Sequence, residues 1–135
     1  MKSTLIVISV MTVFAALCVA QDDAAYKTAM KAVNASAGGR GAPLRAAITA
    51  KDTAAAAAEG GKVAAAFDTI LAYWTAKKTD DAIKLATTAR DAAKALAAAT
   101  DSDSQTASLK TLQGTCGQCH SAHRESVGPG QFNIK

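Results

Sequence analysis

Apolar positions recur along this chain at spacings of three and four, the repeat of a single helix face, and nowhere in the strict alternation of a half-buried strand. Four stretches carry the pattern. In the first, Tyr26, Met30, Val33, Ala37, Gly41, Leu44 and Ile48 stay in phase, behind Asp22 and Asp23, acidic residues suited to a helix N-terminus. Gly38-Gly39-Arg40-Gly41-Ala42-Pro43 lies inside that run, and Pro43 would clash with the carbonyl four residues earlier. The pattern therefore predicts a kink or short break there, with one face buried on both sides. The second stretch opens on Asp52 as N-cap and repeats through Val63, Phe67, Ile70 and Trp74; Gly60-Gly61 weakens it and marks where it could split. The third begins at Thr79-Asp80-Asp81 and buries Ala82, Leu85, Ala89, Ala92, Leu96 and Ala99. Asp101-Ser102-Asp103-Ser104 supplies a turn and a cap. The fourth aligns Leu109, Leu112, Cys116, Cys119 and His123 on one stripe, with His120 beside it. Val127-Gly128-Pro129-Gly130 is expected to end it, leaving a loose tail to Lys135. Four amphipathic helices with short connections predict an all-α, antiparallel four-helix bundle.

The extreme N-terminus follows a different pattern. A short basic start, Met1-Lys2, precedes an apolar run from Leu5 to Val19 that closes on Cys18-Val19-Ala20 before polar Gln21-Asp22-Asp23. That layout reads as a cleaved secretory signal over residues 1–20, and the run falls short of the roughly 20 residues that span a bilayer comfortably. Residues 21–135 would form one domain of 115 residues, exported to the periplasm and not inserted in the membrane. Leu17 before Cys18 does not suit a lipoprotein signal. Cleavage removes Lys2 and lowers the formal charge from +4 to +3. The remaining basic residues are dispersed, which gives no footing for nucleic acid.

Composition sharpens the picture. Alanine occurs 34 times and aromatics make up 4% of the chain. Alanine is the strongest intrinsic helix former, but a core built from it is poor in apolar volume. A small domain of this kind gains from a staple. A large apolar macrocycle would be one.

The chemistry lies in Cys116-Gly117-Gln118-Cys119-His120, the attachment pattern of c-type haem. Two thiols three residues apart on a helix can bond the two vinyl groups of one porphyrin, and the next imidazole is placed under the iron as an axial ligand. Haem c, one per chain and covalently held, is the expected cofactor. Other readings weigh less. With His123 the run could be offered to zinc, but Cys119 and His120 are neighbours, and structural zinc draws ligand pairs from separated segments. A Cys116–Cys119 redox disulfide belongs to a thioredoxin-like strand–helix context, which the pattern lacks. A structural disulfide within one helical turn would be strained.

Function turns on the opposite face of the iron. Between Gln21 and Lys135 there is one methionine, Met30, and one histidine besides His120. His123 follows His120 on the same helix and stays on its side of the ring. Met30 sits on another helix, on a face due to be buried, and is either a sixth ligand or plain core.

A signal segment, four helices and a haem motif on the last helix together resemble the class II c-type cytochromes, the cytochromes c prime and their low-spin relatives. Cys116 to His120 followed by Ser121-Ala122-His123-Arg124 is similar to that family's C-terminal signature, with His123 where the family has an aromatic. Tyr26-Lys27-Thr28-Ala29-Met30-Lys31-Ala32 resembles its first-helix segment, in which low-spin members place a Met-Lys whose Met ligates iron. The resemblance implies Met30 as distal axial ligand, a soluble electron carrier rather than an enzyme, and redox proteins of the periplasm as partners. It also implies homodimers through the first two helices. Members lacking the Met leave the sixth position open, and the second reading is thus a five-coordinate protein that binds or senses nitric oxide or carbon monoxide. Two departures stand out: the short link from Trp74 to Thr79, and the Gly38 to Pro43 break. Arg124 is expected to pair with a haem propionate, and Trp74 to pack on the porphyrin edge or serve as a core plug.

Overall fold

The structure, a computed structural model, describes residues 23–129 and 131–135. The expected signal segment, with Cys18, and the helix start expected at Asp22 lie outside the described residues. Helix α1 covers residues 23–37. The predicted break follows, and α2 (Pro43–Thr49) restarts with Pro43 at its first turn, where a missing N–H forfeits no helical bond. One sequence stretch thus yields two helices. Leu44 is fully buried, as the shared phase requires, whereas Gly41 is exposed in the break.

Helix α3 (Thr53–Lys77) starts where expected, the Asp52 carboxylate accepting the Ala55 N–H at 2.9 Å. It ends at Lys78, whose φ of 55° takes the left-handed turn into α4 (Asp80–Ala98). Gly60-Gly61 does not split α3. A Cβ on Gly60 would stand 2.7 Å from Leu96 Cδ2 and 3.1 Å from Ala97 N, so this glycine lets two helices approach closely. Helix α5 (Ser102–His123) opens on Asp101, which accepts the Ser104 N–H at 2.8 Å.

Short turns make α3, α4 and α5 successive antiparallel neighbours. Asp68 of α3 lies within 4.0 Å of Arg90 and 3.9 Å of Lys94 on α4, and Asp81 of α4 meets His123 of α5. Helix α1 also runs antiparallel to α3: Tyr26 packs beside Tyr73 and Trp74 at one end, and Ser36 donates to Glu59 at the other. Between them lie the fully buried Val63, Ile70, Leu96 and Leu112. Gln105, also fully buried, donates through Nε2 to Thr53 O at 2.9 Å and Ala99 O at 3.3 Å, pinning three helices at one level. Among the described residues no helix is long and apolar enough to cross a membrane.

The C-terminus departs from expectation. Helix α5 stops at His123, before Val127, and the chain continues as a hairpin of β1 (Arg124–Gly128) and β2 (Gln131–Ile134). The strands are antiparallel, Arg124 facing Ile134 and Ser126 facing Phe132. The tail is not loose. Gly128 pairs with Gln131, the Lys135 N–H closes on His123 O at 3.0 Å, and the Arg124 guanidinium lies 3.1 Å over the Phe132 ring, a cation–π contact. The chain is mostly helical, with a small antiparallel sheet rather than all-α.

Candidate cofactor site

A cleft of about 990 Å³ opens between α1 and α5, at the upper end of the roughly 300–1,000 Å³ usual for ligand pockets. Its floor is apolar, with Phe67 and Ile70 from α3 and Leu85, Ala86 and Ala89 from α4. Helix α5 turns Leu112, Cys116, Cys119 and His123 toward it because they share one face, and His120 enters one turn beyond Cys116. Helix α1 contributes Tyr26 and, one turn on, Met30. The fold therefore brings Met30, Cys116, Cys119 and His120 to one cleft from two helices far apart in sequence.

Electrostatics limit what these groups can do. Cys116 and Cys119 are free thiols, half-buried. Burial, reinforced by the neighbouring Cys119, pushes the Cys116 thiol up to about 11, and burial with the Asp81 charge raises Cys119 as well. Reactive redox cysteines are shifted the other way, so this pair is unlike a catalytic dithiol. Burial, and then the Arg124 charge, draws His120 below its ordinary value, which keeps the imidazole in the neutral form that binds metals. Among the described residues no group of three or more His, Cys, Asp or Glu is placed to hold a metal ion.

His123 takes a structural post. Its Nε2 lies 2.8 Å from Asp81 Oδ2 and its ring 5.1 Å from that of Trp74. That hydrogen bond holds the exposed Asp81 carboxyl below its usual range. Trp74 is not part of the cleft wall. It stands behind Tyr26 and His123, edge-on to Tyr26 at 5.7 Å and 2% exposed. Of the two readings, the core plug describes its contacts. Arg124 does line the cleft, with Nη1 3.4 Å from His120 Nδ1 and its guanidinium on Phe132.

Periodicity missed the hairpin, whose Val127, Phe132 and Ile134 wall one end of the cleft. The signal was present: short runs either side of Gly128-Pro129-Gly130 fit a hairpin with a Gly-containing loop. Arg45 and Gln113, which also line the cleft, carried none. No protein-family model matches the chain, and no curated protein or solved structure is significantly similar to it.

Proposed function

We propose that this protein is an exported monohaem c-type cytochrome of the class II kind, a soluble electron carrier of the periplasm. In this reading α1, α3, α4 and α5 form an antiparallel four-helix bundle around one haem c. The supporting observation is the shared cleft: it presents two thiols and a neutral imidazole from α5 and a thioether from α1 around an apolar floor. Its size and lining fit a porphyrin. Cys116 and Cys119 would each add across one vinyl group, sulfur bonding the inner carbon and the thiol hydrogen passing to the outer one, with nothing released. His120 would serve as proximal ligand and Met30 as distal ligand. The haem, when bound, supplies one-electron exchange at its iron. Two strong ligands held by packed helices keep the coordination alike in both oxidation states, and Met/His ligation raises the potential.

Expression with haem-attachment machinery, followed by intact-mass measurement and absorption spectroscopy, tests the reading. The expected protein carries the mass of one haem that acid–organic extraction does not release. Its ferric form shows a weak sulfur-to-iron band in the far red, and its ferrous form binds carbon monoxide slowly. Colourless protein would end the proposal. A five-coordinate, high-spin ferrous form that binds carbon monoxide at once would leave Met30 as core and make gas binding the function.

A further inference from the structure

The charges around the cleft are one-sided. Lys27, Lys31, Arg45 and Arg124 line it, and among the described residues no Asp or Glu does, the Asp81 carboxylate being held by His123. The floor from α3 and α4 is apolar, the hairpin adds no ionisable side chain besides Arg124, and the other titratable groups are Tyr26, the two thiols and the imidazoles of His120 and His123. Such a cavity is built for a ligand with an apolar body and an anionic end.

The unpartnered donors show which end. Of the buried side-chain nitrogen and oxygen atoms without a hydrogen-bond partner among the described residues, two belong to cleft-lining residues: Arg45 Nε and Gln113 Nε2. Both are N–H donors. Arg45 reaches the cleft only because the chain breaks after α1 and α2 folds back, and Gln113 lies one turn before Cys116 on α5. Arg124, by contrast, is already engaged with Phe132 and His120 at the hairpin end. Buried donors are ordinarily satisfied, and an arginine and an amide lining one cleft suit a carboxylate, which accepts several N–H bonds at once.

We propose that Arg45 and Gln113, and not Arg124, form the carboxylate-binding end of the cleft and hold the haem propionates there. The inference rests on the haem reading above and adds an orientation to it: propionates toward α2, the opposite edge toward Tyr26 and the hairpin.

The test uses holoprotein. Its reduction potential is followed against pH in wild type, Arg45→Gln, Gln113→Leu, Arg45→Lys and Arg124→Gln. A propionate that loses its cation or its N–H donor is protonated more easily. The inflection of the potential–pH curve should therefore move upward by about one unit, tenfold in proton affinity, in Arg45→Gln, and in the same direction in Gln113→Leu. Arg45→Lys should return most of the shift, and Arg124→Gln should leave the inflection in place. Covalent attachment through Cys116 and Cys119 keeps the haem in every variant. A shift in Arg124→Gln with none in Arg45→Gln, or no shift in any variant, overturns the assignment while the haem reading stands. Wild-type protein without haem removes both.

Discussion

The α3–α4 seam and the α1–α5 cleft are made from the same small-residue composition and reach opposite outcomes. In the seam, Ala56, Ala93 and Leu96 are fully buried, and the backbones come so close at Gly60 that a single added carbon would meet Leu96. Across the molecule, α1 and α5 stay apart. At one end Trp74 bridges Tyr26 of α1 and His123 of α5 as an aromatic spacer. Helix α2 packs on α3 with Leu44 fully buried. Alanine closes an interface only where nothing larger props it open. Where an aromatic spacer does, the missing side-chain volume collects into one cavity, and the wall residues decide what fills it.

The largest expected effect breaks the cleft side. Replacing both thiols, Cys116→Ser with Cys119→Ser, should abolish holoprotein, seen as loss of the haem mass. Without filling, that side should lose cooperativity, and circular dichroism should show a helical but broad thermal transition. A sharp transition close to the holoprotein's would mean that the seam alone carries the fold. Next comes Met30→Ala, which should leave the haem attached but open the sixth position. The far-red ferric band should vanish, the potential fall and carbon monoxide bind readily. Unchanged carbon monoxide kinetics would assign Met30 to the cleft wall alone.

Gly60→Val attacks the other side. Overpacking a tight core costs about 1–3 kcal/mol, so denaturant unfolding should show a loss of that order, with the absorption spectrum unaltered. A neutral result would mean that the seam has slack. The smallest effect concerns the Asp81–His123 contact across α4 and α5. The Asp81 carboxyl titrates below its ordinary value because His123 donates to it. Its contribution to stability is therefore present above the free carboxyl's value of about 4 and is lost as pH falls through the lower folded value. Asp81→Asn should therefore cost a small amount of stability at pH 7 and none in acid, which flattens the acid limb of the stability–pH curve. An unaltered acid limb would show that the contact is energetically silent.

Much of the helical frame was legible. Asp52 and Asp101 cap where a carboxylate precedes a helical phase, and Pro43 opens α2 because its ring forbids continuing α1. Capping and proline sterics act within one turn, so the chain alone reveals them. Two local readings failed for different reasons. Gly60-Gly61 suggested a weak point because its helix propensity is poor, yet the close contact with α4 overrides propensity. The hairpin was overlooked because its strands are only five and four residues long, too short for alternation to stand out.

By itself the sequence determined what depends on neighbours along the chain: the helical phases, their caps, the break before Pro43, and the pairing of two thiols with an imidazole on one stripe. Tertiary structure alone decided that Met30 faces the same cleft as that stripe, that Trp74 lies behind the wall, and that the C-terminal hairpin closes one end. It also brought Arg45 and Gln113, from different helices, to the lining of that cleft. Those outcomes depend on packing between elements distant in the chain, which patterns within one helical turn do not encode.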